Sequence, residues 1–346
     1  MRSLIGKLKE TKTLTREEWI ALIENRTPAL AEYLFEQARK VREEHYGNDI
    51  YIRGLIEFTN YCKNDCYYCG IRRSNQNAPR YRLTKEEIIE CCTCGYQFGF
   101  RTFVLQGGED GYFTDERMIE IVSAIRGAFP DCAITLSIGE KSYDSYKKFH
   151  DAGADRYLLR HETYDLEHYG KLHPTVLSAK NRQKCLWEMK EIGYQVGTGF
   201  MVGSPYQNTS NLADDMLFIK ELNPQMVGIG PFIPHKDTMF AKETAGTLEL
   251  TLYMLGLLRL MLPKVLLPAT TALGTIAENG RELGILAGAN VVMPNLSPMS
   301  VRKKYLLYDN KACTGDEAAE SVEHLREQMR NIGYEVVISR GDSRNI

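Results

Sequence analysis

The chain has 346 residues, 43% of them hydrophobic and 25% charged, an ordinary globular composition with length enough to bury a large core. Its net charge of −2 gives a nucleic-acid or anionic-membrane partner no global electrostatic support. Met1 to Glu10 is polar, no run of about 18 apolar residues follows, and Arg259, Pro263 and Lys264 interrupt the most apolar stretch, so the expectation is a cytoplasmic protein that binds neither membrane nor nucleic acid.

Residues 1–50 read as a helical extension. Thr15 can cap a helix whose first turn carries Glu17 and Glu18, and Leu30, Tyr33, Leu34, Ala38 and Val41 recur at helical spacing. After Gly47 short apolar runs alternate with amphipathic stretches. Strands are expected at Ile52–Phe58, Thr102–Gln106, Ala133–Ser137, Arg156–Arg160, Gln195–Gly199, Met226–Gly230, Val265–Ala269 and Asn290–Met293. Helices are expected between them, at Lys85–Tyr96, Asp115–Ala128, Ser142–Ala152, Ser178–Ile192, Leu212–Leu222, Leu248–Met261 and Thr275–Ala287. This rhythm over residues 51–294 predicts an α/β fold, a (β/α)8 TIM-type barrel. A doubly wound open sheet is the alternative, because periodicity does not report closure. Residues 295–346 read as a C-terminal tail packed on the barrel, with one helix at Asp316–Met329. Barrel active sites are built from the loops that follow the strands. Cys62–Cys69 follows the first strand, Gly107–Asp110 the second, His161–Thr163 the fourth and Thr270–Thr271 the seventh.

The nine cysteines are odd in number and unevenly spread, which argues against a disulfide framework. Cys62, Cys66 and Cys69 stand at C-x3-C-x2-C, where a short polar loop can wrap its thiolates around one iron–sulfur cluster. Three ligands leave one iron open, and an open position can bind a substrate. Zinc would want a further Cys or His pair. Cys91, Cys92 and Cys94 fall on a predicted helix, where packing as small hydrophobic groups is the simpler reading; Cys91 and Cys94 point roughly one way and Cys92 another. Asp65, Arg72, Arg73, Arg80 and Arg82 make the cluster loop charged, either as a solvated face or as a docking site for a reductant or anionic substrate.

With Tyr68 before its last cysteine and a strand before its first, this loop resembles the signature of the radical S-adenosylmethionine (SAM) superfamily. The resemblance implies a 4Fe–4S cluster on Cys62, Cys66 and Cys69, SAM on its open iron, Tyr68 near the adenine and formation of a 5′-deoxyadenosyl radical. Gln106-Gly107-Gly108-Glu109 is similar to the superfamily's Gly-Gly-Glu motif: the glycines allow close approach, and Glu109 suits the cofactor's ammonium. The further cofactor contacts expected are Ser137, Arg160, Glu162 and Arg182, against the alternative of a structural salt-bridge network. His161 reads as a satisfied core histidine.

Five segments resemble the HydE family of FeFe-hydrogenase maturation enzymes more closely: Ile56–Cys62, Leu105–Asp110, Arg156–Thr163, Met226–His235 and Pro268–Thr275. That likeness implies a step in assembling the hydrogenase's di-iron subcluster, with the radical attacking a cysteine-bound iron carbonyl/cyanide complex. It implies Arg53, Thr135, Thr270, Thr271 and Tyr308 as substrate contacts. It implies as partners the small organometallic substrate, the other maturases (a radical SAM partner and a scaffold GTPase) and an electron donor. Relatives often carry three cysteines near the C-terminus for an accessory cluster. Only Cys313 stands here, followed by Ser321 and His324, so no second cluster is expected. The rival within the superfamily is a methylornithine synthase-like mutase; biotin synthase would require more strand cysteines. A rival of another class is a non-catalytic iron–sulfur scaffold or carrier, for which Glu109, Arg160, Glu162 and Arg182 would be idle. A zinc-stabilised structural module is a third.

Overall fold

The computed structural model describes residues 1–311 and 318–344. Three helices lead the chain: α1 (Arg2–Thr11), α2 (Arg16–Glu24) and α3 (Pro28–Tyr46). Thr15 closes a capping box with Glu18 at the start of α2, satisfying two otherwise orphaned backbone donors. The expected first strand breaks at Arg53 into β1 (Asp49–Ile52) and β2 (Gly54–Thr59). Then follow α4 (Lys85–Gln97), β3 (Thr102–Gly107), α5 (Asp115–Ala128), β4 (Ala133–Ser137), α6 (Tyr143–Asp151) and β5 (Arg156–Leu158). Next come α7 (Leu166–Leu172), α8 (Ala179–Ile192), β6 (Gln195–Thr198), β7 (Met201–Val202), α9 (Thr209–Leu222), β8 (Met226–Val227) and β9 (Gly230–Pro231). The chain continues through α10 (Leu248–Met261), α11 (Thr271–Ile276), α12 (Gly280–Leu286), β10 (Val291–Val292), α13 (Met299–Arg302), α14 (Ala318–Asn331) and β11 (Glu335–Val337).

The main sheet is parallel, in the order β2-β3-β4-β5-β6-β8. Its strands are apolar runs because helices cover their outer side, and Ile56, Leu105 and Leu136 are fully buried. This sheet has six strands where eight were expected. Val265–Ala269 does not form a strand; it contributes only single parallel bridges, Met226 to Leu266 and Pro268 to Val291. Pro268 has no N–H for a ladder. Another single bridge pairs Leu55 of β2 with Asn295, where the Leu55 amide donates to Pro294 at 2.9 Å. β10 pairs with β1, and so does β11 from the tail, making a separate three-stranded parallel sheet. The helix expected at Thr275–Ala287 is two short helices. The Asn279-Gly280 step is a turn signal, and a Cβ on Gly280 would sit 2.0 Å from the Leu273 carbonyl oxygen. No helix among the described residues is long and apolar enough to cross a membrane.

Candidate active site

The strands deliver their C-terminal ends to one large cavity with about 330 Å³ of room. Cys62, Cys66 and Cys69 line it, on the loop between β2 and α4. That loop is fastened from within. Arg80 reaches the carbonyls of Asn60 and Ile71 through Nη1, and those of Arg72 and Asn75 through Nη2, the latter two at 2.6 and 3.1 Å. Arg72 donates to the Asp237 carbonyl at 2.9 Å, and Arg82 grips Asp110 through two nitrogens at 2.7 and 2.9 Å. The loop's charges are therefore largely spent on its own framework; Arg73 is exposed. Burial pushes the Cys69 thiol up to about 12 and raises Cys62 and Cys66 as well. Thiolates held here need strong positive charge beside them, which a metal centre supplies. Among the described residues no three His, Cys, Asp or Glu converge as they would on one metal ion. A cluster that meets each thiolate with a different iron has no need of such convergence.

Tyr68 stands between the second and third of these cysteines. Its hydroxyl is 3.2 Å from His173 Nε2, and His173 Nδ1 donates to the Tyr169 carbonyl at 3.0 Å, so Tyr68 is the donor to Nε2. The His173 ring stacks on Tyr169 with centroids 3.9 Å apart. Burial, with Arg182 nearby, lowers the His173 pKa to about 3, keeping it neutral.

Gln106, Gly107, Gly108 and Glu109 follow β3 into the cavity. A Cβ on Gly108 would lie 2.2 Å from the Tyr61 carbonyl oxygen, so this turn closes against the cluster loop only as glycine. Glu109 is buried and accepts from the Glu140 amide at 3.0 Å; the exposed Lys63 ammonium lies 3.1 Å from its other oxygen. Ser137, at the end of β4, is on the same wall.

Arg160 and Glu162 follow β5. Glu162 is buried at φ 66, the left-handed region that a side chain rarely adopts. Arg160 Nη2 lies 3.1 Å from Glu162 Oε2 as an ion pair, but poorly angled. Neither atom, nor Arg160 Nε, has a hydrogen-bond partner. Arg182 is already engaged, donating to the Arg160 carbonyl at 2.6 Å and to Glu140 at 2.9 Å. His161 is buried and bonded on both nitrogens, to Thr198 at 2.9 Å and Asp215 at 3.2 Å.

Thr270, Thr271 and Tyr308 line the same cavity, and Thr270 Oγ1 is buried without a partner. Arg53 and Thr135 do not line it. They border a pocket of about 10 Å³ at the opposite strand ends, with Arg156 and Met226. Arg53 is buried and donates to the Met226 sulfur at 2.8 Å, while its Nε and the Thr135 hydroxyl have no partner. Burial and the neighbouring Arg156 push its guanidinium well below its ordinary pKa.

Residues 56–219 match the model of the radical SAM superfamily. The chain is 44% identical to the FeFe hydrogenase maturase subunit HydE of Thermotoga maritima, over 96% of this chain and 94% of that protein. This chain belongs to the radical SAM superfamily. It is also 31% identical to the 3-methylornithine synthase of Methanosarcina acetivorans, over 95% of this chain and 92% of that protein. A crystal structure of methylornithine synthase superposes with a TM-score of 0.86 at 29% identity, covering 96% of this chain and 97% of that one.

A radical SAM protein carries a 4Fe–4S cluster and SAM, and the residues fit both. Three thiols line one cavity, and two charged side chains beside them leave polar atoms unpartnered. Sequence reasoning missed Glu140, His173, Tyr305 and Lys311. Lys311 forms a buried ion pair with Glu57, and Gln106 donates to Tyr305 at 3.4 Å. No local motif marks them; the Lys311–Glu57 pair joins positions 254 residues apart. On α4, Cys91 and Cys92 both enter the core and Cys94 is half-buried, so the expected split of faces is only approximate. Cys313 and the side chain of Ser321 lie outside the described residues, and His324 is exposed on α14.

Proposed function

We propose that this chain is a maturase acting in assembly of the FeFe-hydrogenase di-iron subcluster. Its substrate would be a small organometallic one, an iron carbonyl/cyanide complex held on cysteine. The observation that carries this reading is the 44% identity to HydE, sustained over nearly the full length of both chains. When bound, the cluster and SAM supply a 5′-deoxyadenosyl radical.

Cys62, Cys66 and Cys69 would hold the cluster. Glu109, Arg160 and Glu162 would orient the charged methionine end of SAM, and Tyr68 would border its adenine. Arg182, through Glu140 and the Arg160 carbonyl, stiffens that wall. Gln106, Gly107, Gly108 and Ser137 shape the cradle. The segment from Tyr305 to Lys311 roofs the cavity: the Gly70 amide donates to Leu307 at 2.9 Å, and the Asp309 amide to Pro234 at 3.1 Å. A roof of this kind limits water and guards a reactive carbon radical from side reactions. Thr270, Thr271 and Tyr308 would face the substrate. The uncompensated cation of Arg53, with Thr135, supports a second foothold for an anionic group.

The single bridges at Leu55, Met226 and Pro268 support reading the parallel sheet as a closed (β/α)8 barrel over 51–294, with extension 1–50 and tail 295–346. The partners would be other hydrogenase maturases and an electron donor. The absence of any disulfide among the eight described cysteines supports a cytoplasmic site.

The test is release of 5′-deoxyadenosine by anaerobically reconstituted, reduced protein, with and without the cysteine-bound iron carbonyl/cyanide complex. Strong stimulation is expected. The TM-score of 0.86 to methylornithine synthase favours one second reading, and lysine is therefore assayed in parallel. Stimulation by lysine alone would replace the maturase reading. No release from protein loaded with a 4Fe–4S cluster would point to an iron–sulfur carrier.

A further inference from the structure

Glu162 is held in a conformation it would not choose. A side chain at φ 66 costs on the order of 1 kcal/mol relative to the common regions, and such residues persist only where their surroundings fix them. The backbone holds one side: the Glu162 amide donates to the Gly199 carbonyl at 3.1 Å. Arg182 holds the Arg160 carbonyl, Thr198 holds His161 Nδ1 and His168 meets the Thr163 hydroxyl, and a carboxylate from α9 ties two positions at once. Asp215 Oδ1 accepts from the Tyr164 amide at 2.6 Å and lies 3.2 Å from His161 Nε2. One oxygen thus binds the residue before Glu162 and the residue two after it. One helical turn on, Phe218 packs against both flanks: its ring stacks on Tyr164 at 5.1 Å and meets His161 edge-on at 5.0 Å.

Packing alone does not call for a charge here. Asp215 is fully buried, and its Oδ2 has no hydrogen-bond partner. A buried carboxylate with a bare oxygen is costly, and a neutral side chain would fill the space at less cost. What the carboxylate adds is one acceptor strong enough to tie both flanks of the corner. The corner carries Arg160 and Glu162, which line the cavity with Cys66 and Cys69 and whose ion pair leaves polar atoms without a hydrogen bond.

We propose that Asp215 is a positioning residue for SAM, clamping the 160–164 corner so that Glu162 and Arg160 face the cofactor. This rests on the radical SAM reading of the site and extends it to a residue that does not line the cavity.

The test titrates SAM into cluster-loaded, reduced parent, Asp215→Ala, Asp215→Asn, His161→Phe and Thr198→Val proteins. It follows the change in the cluster's electron paramagnetic resonance signal, together with the KM for SAM and the turnover rate at saturating SAM, both read from deoxyadenosine release. Asp215→Ala should raise the KM for SAM about tenfold or more, with turnover changed less than about threefold and iron content unchanged, as expected for losing two oriented hydrogen bonds. Asp215→Asn keeps an acceptor oxygen and should restore most of the affinity. His161→Phe, suited to its aromatic surroundings, removes the Asp215–His161 tie together with the His161–Thr198 bond, leaves the Asp215–Tyr164 tie, and should raise KM about threefold to tenfold; Thr198→Val, which removes only the Thr198 bond, should leave KM near parental. His161→Phe therefore still decides the question if Asp215→Ala does not fold. A lowered melting temperature with SAM affinity intact in His161→Phe and the foldable Asp215 variants would make the pair merely structural and overturn the clamp. A parent protein that binds no SAM would overturn both the clamp and the cofactor reading, whereas unchanged Asp215 and His161 variants of a binding parent overturn the clamp alone.

Discussion

Gly139 shows how narrowly the cofactor cradle is cut. It sits at φ 76, and a Cβ there would lie 2.2 Å from Glu109 Oε1. Gly139→Ala therefore strains the backbone and pushes aside the Glu109 carboxylate, which we propose meets the cofactor's ammonium. Overpacking of this kind typically costs about 1–3 kcal/mol. The expected outcome is a higher KM for SAM with the cluster retained; unchanged affinity would mean that Glu109 does not touch the cofactor. His173 carries a pH signature. Its folded pKa of about 3 lies below the ordinary 6.5, so between those values the unfolded chain binds a proton that the folded chain refuses. Its contribution to stability is therefore complete above about pH 6.5 and falls away as pH drops toward 3. In His173→Gln, the plot of melting temperature against pH should be flatter than the parent's across that window. Single residues were legible where rare chemistry met a strand end. The three cysteines, Glu109 and Glu162, which the structure brings to one cavity, could be picked out as a group because each follows an expected strand. Glu140 and His173 could not be, since each acts through a partner that only the fold brings near.

Elements were legible where apolar periodicity was strong and uninterrupted. Asp115–Ala128 and Leu248–Met261 form as helices with the expected bounds. The losses have local causes. An Asn-Gly step split one expected helix, Pro268 spoiled one expected strand, and Glu162's left-handed turn follows a strand two residues shorter than expected. The cluster loop has almost no regular structure, and a single guanidinium substitutes for a ladder. Arg80 serves four backbone carbonyls through its two terminal nitrogens. A lysine has three donors on one atom and cannot span that set. Arg80→Lys should leave at least one of the four carbonyls unsatisfied, at about 1–3 kcal/mol each where buried. We expect lower thermal stability and less iron and sulfide retained after reconstitution. Full iron content with parental stability would show that the loop is ordered by the cluster and not by Arg80.

At the scale of the molecule, sequence rhythm conveyed the parallel α/β architecture and the end of the sheet that holds the chemistry. It said nothing of the other end. There the tail returns: β11 pairs with β1, and the residues after it cover the strand starts. Asp342 lies 2.5 Å from Arg156, Arg340 reaches Asp155 at 3.0 Å, and the Gly341 carbonyl is 3.5 Å from Arg53. These partners are far apart in sequence, as the 186 residues between Arg156 and Asp342 illustrate, so no periodicity could announce them. Burial pushes the Asp342 carboxyl up, but Arg156, Gln195 and Arg340 outweigh that and hold it below the usual carboxylate range. Its contribution is thus present above about pH 4 and lost as acid protonates it. Asp342→Ala leaves Arg156 buried without its anion, beside the already uncompensated Arg53. Removing one partner of a fully buried pair costs about 3–5 kcal/mol, and partial exposure of Asp342 reduces this to about 1–3. Chemical denaturation at pH 7.5 should show that loss, and at pH 3 the difference from the parent should shrink because the carboxyl of the unfolded parent chain is then largely protonated while the folded one is still ionised. The cluster cavity is at the far strand ends, so iron content and basal release of 5′-deoxyadenosine should stay near parental. If release falls with stability unchanged, the pocket of Arg53, Thr135 and Arg156 takes part in the chemistry directly, and the tail is its wall and not only a plug.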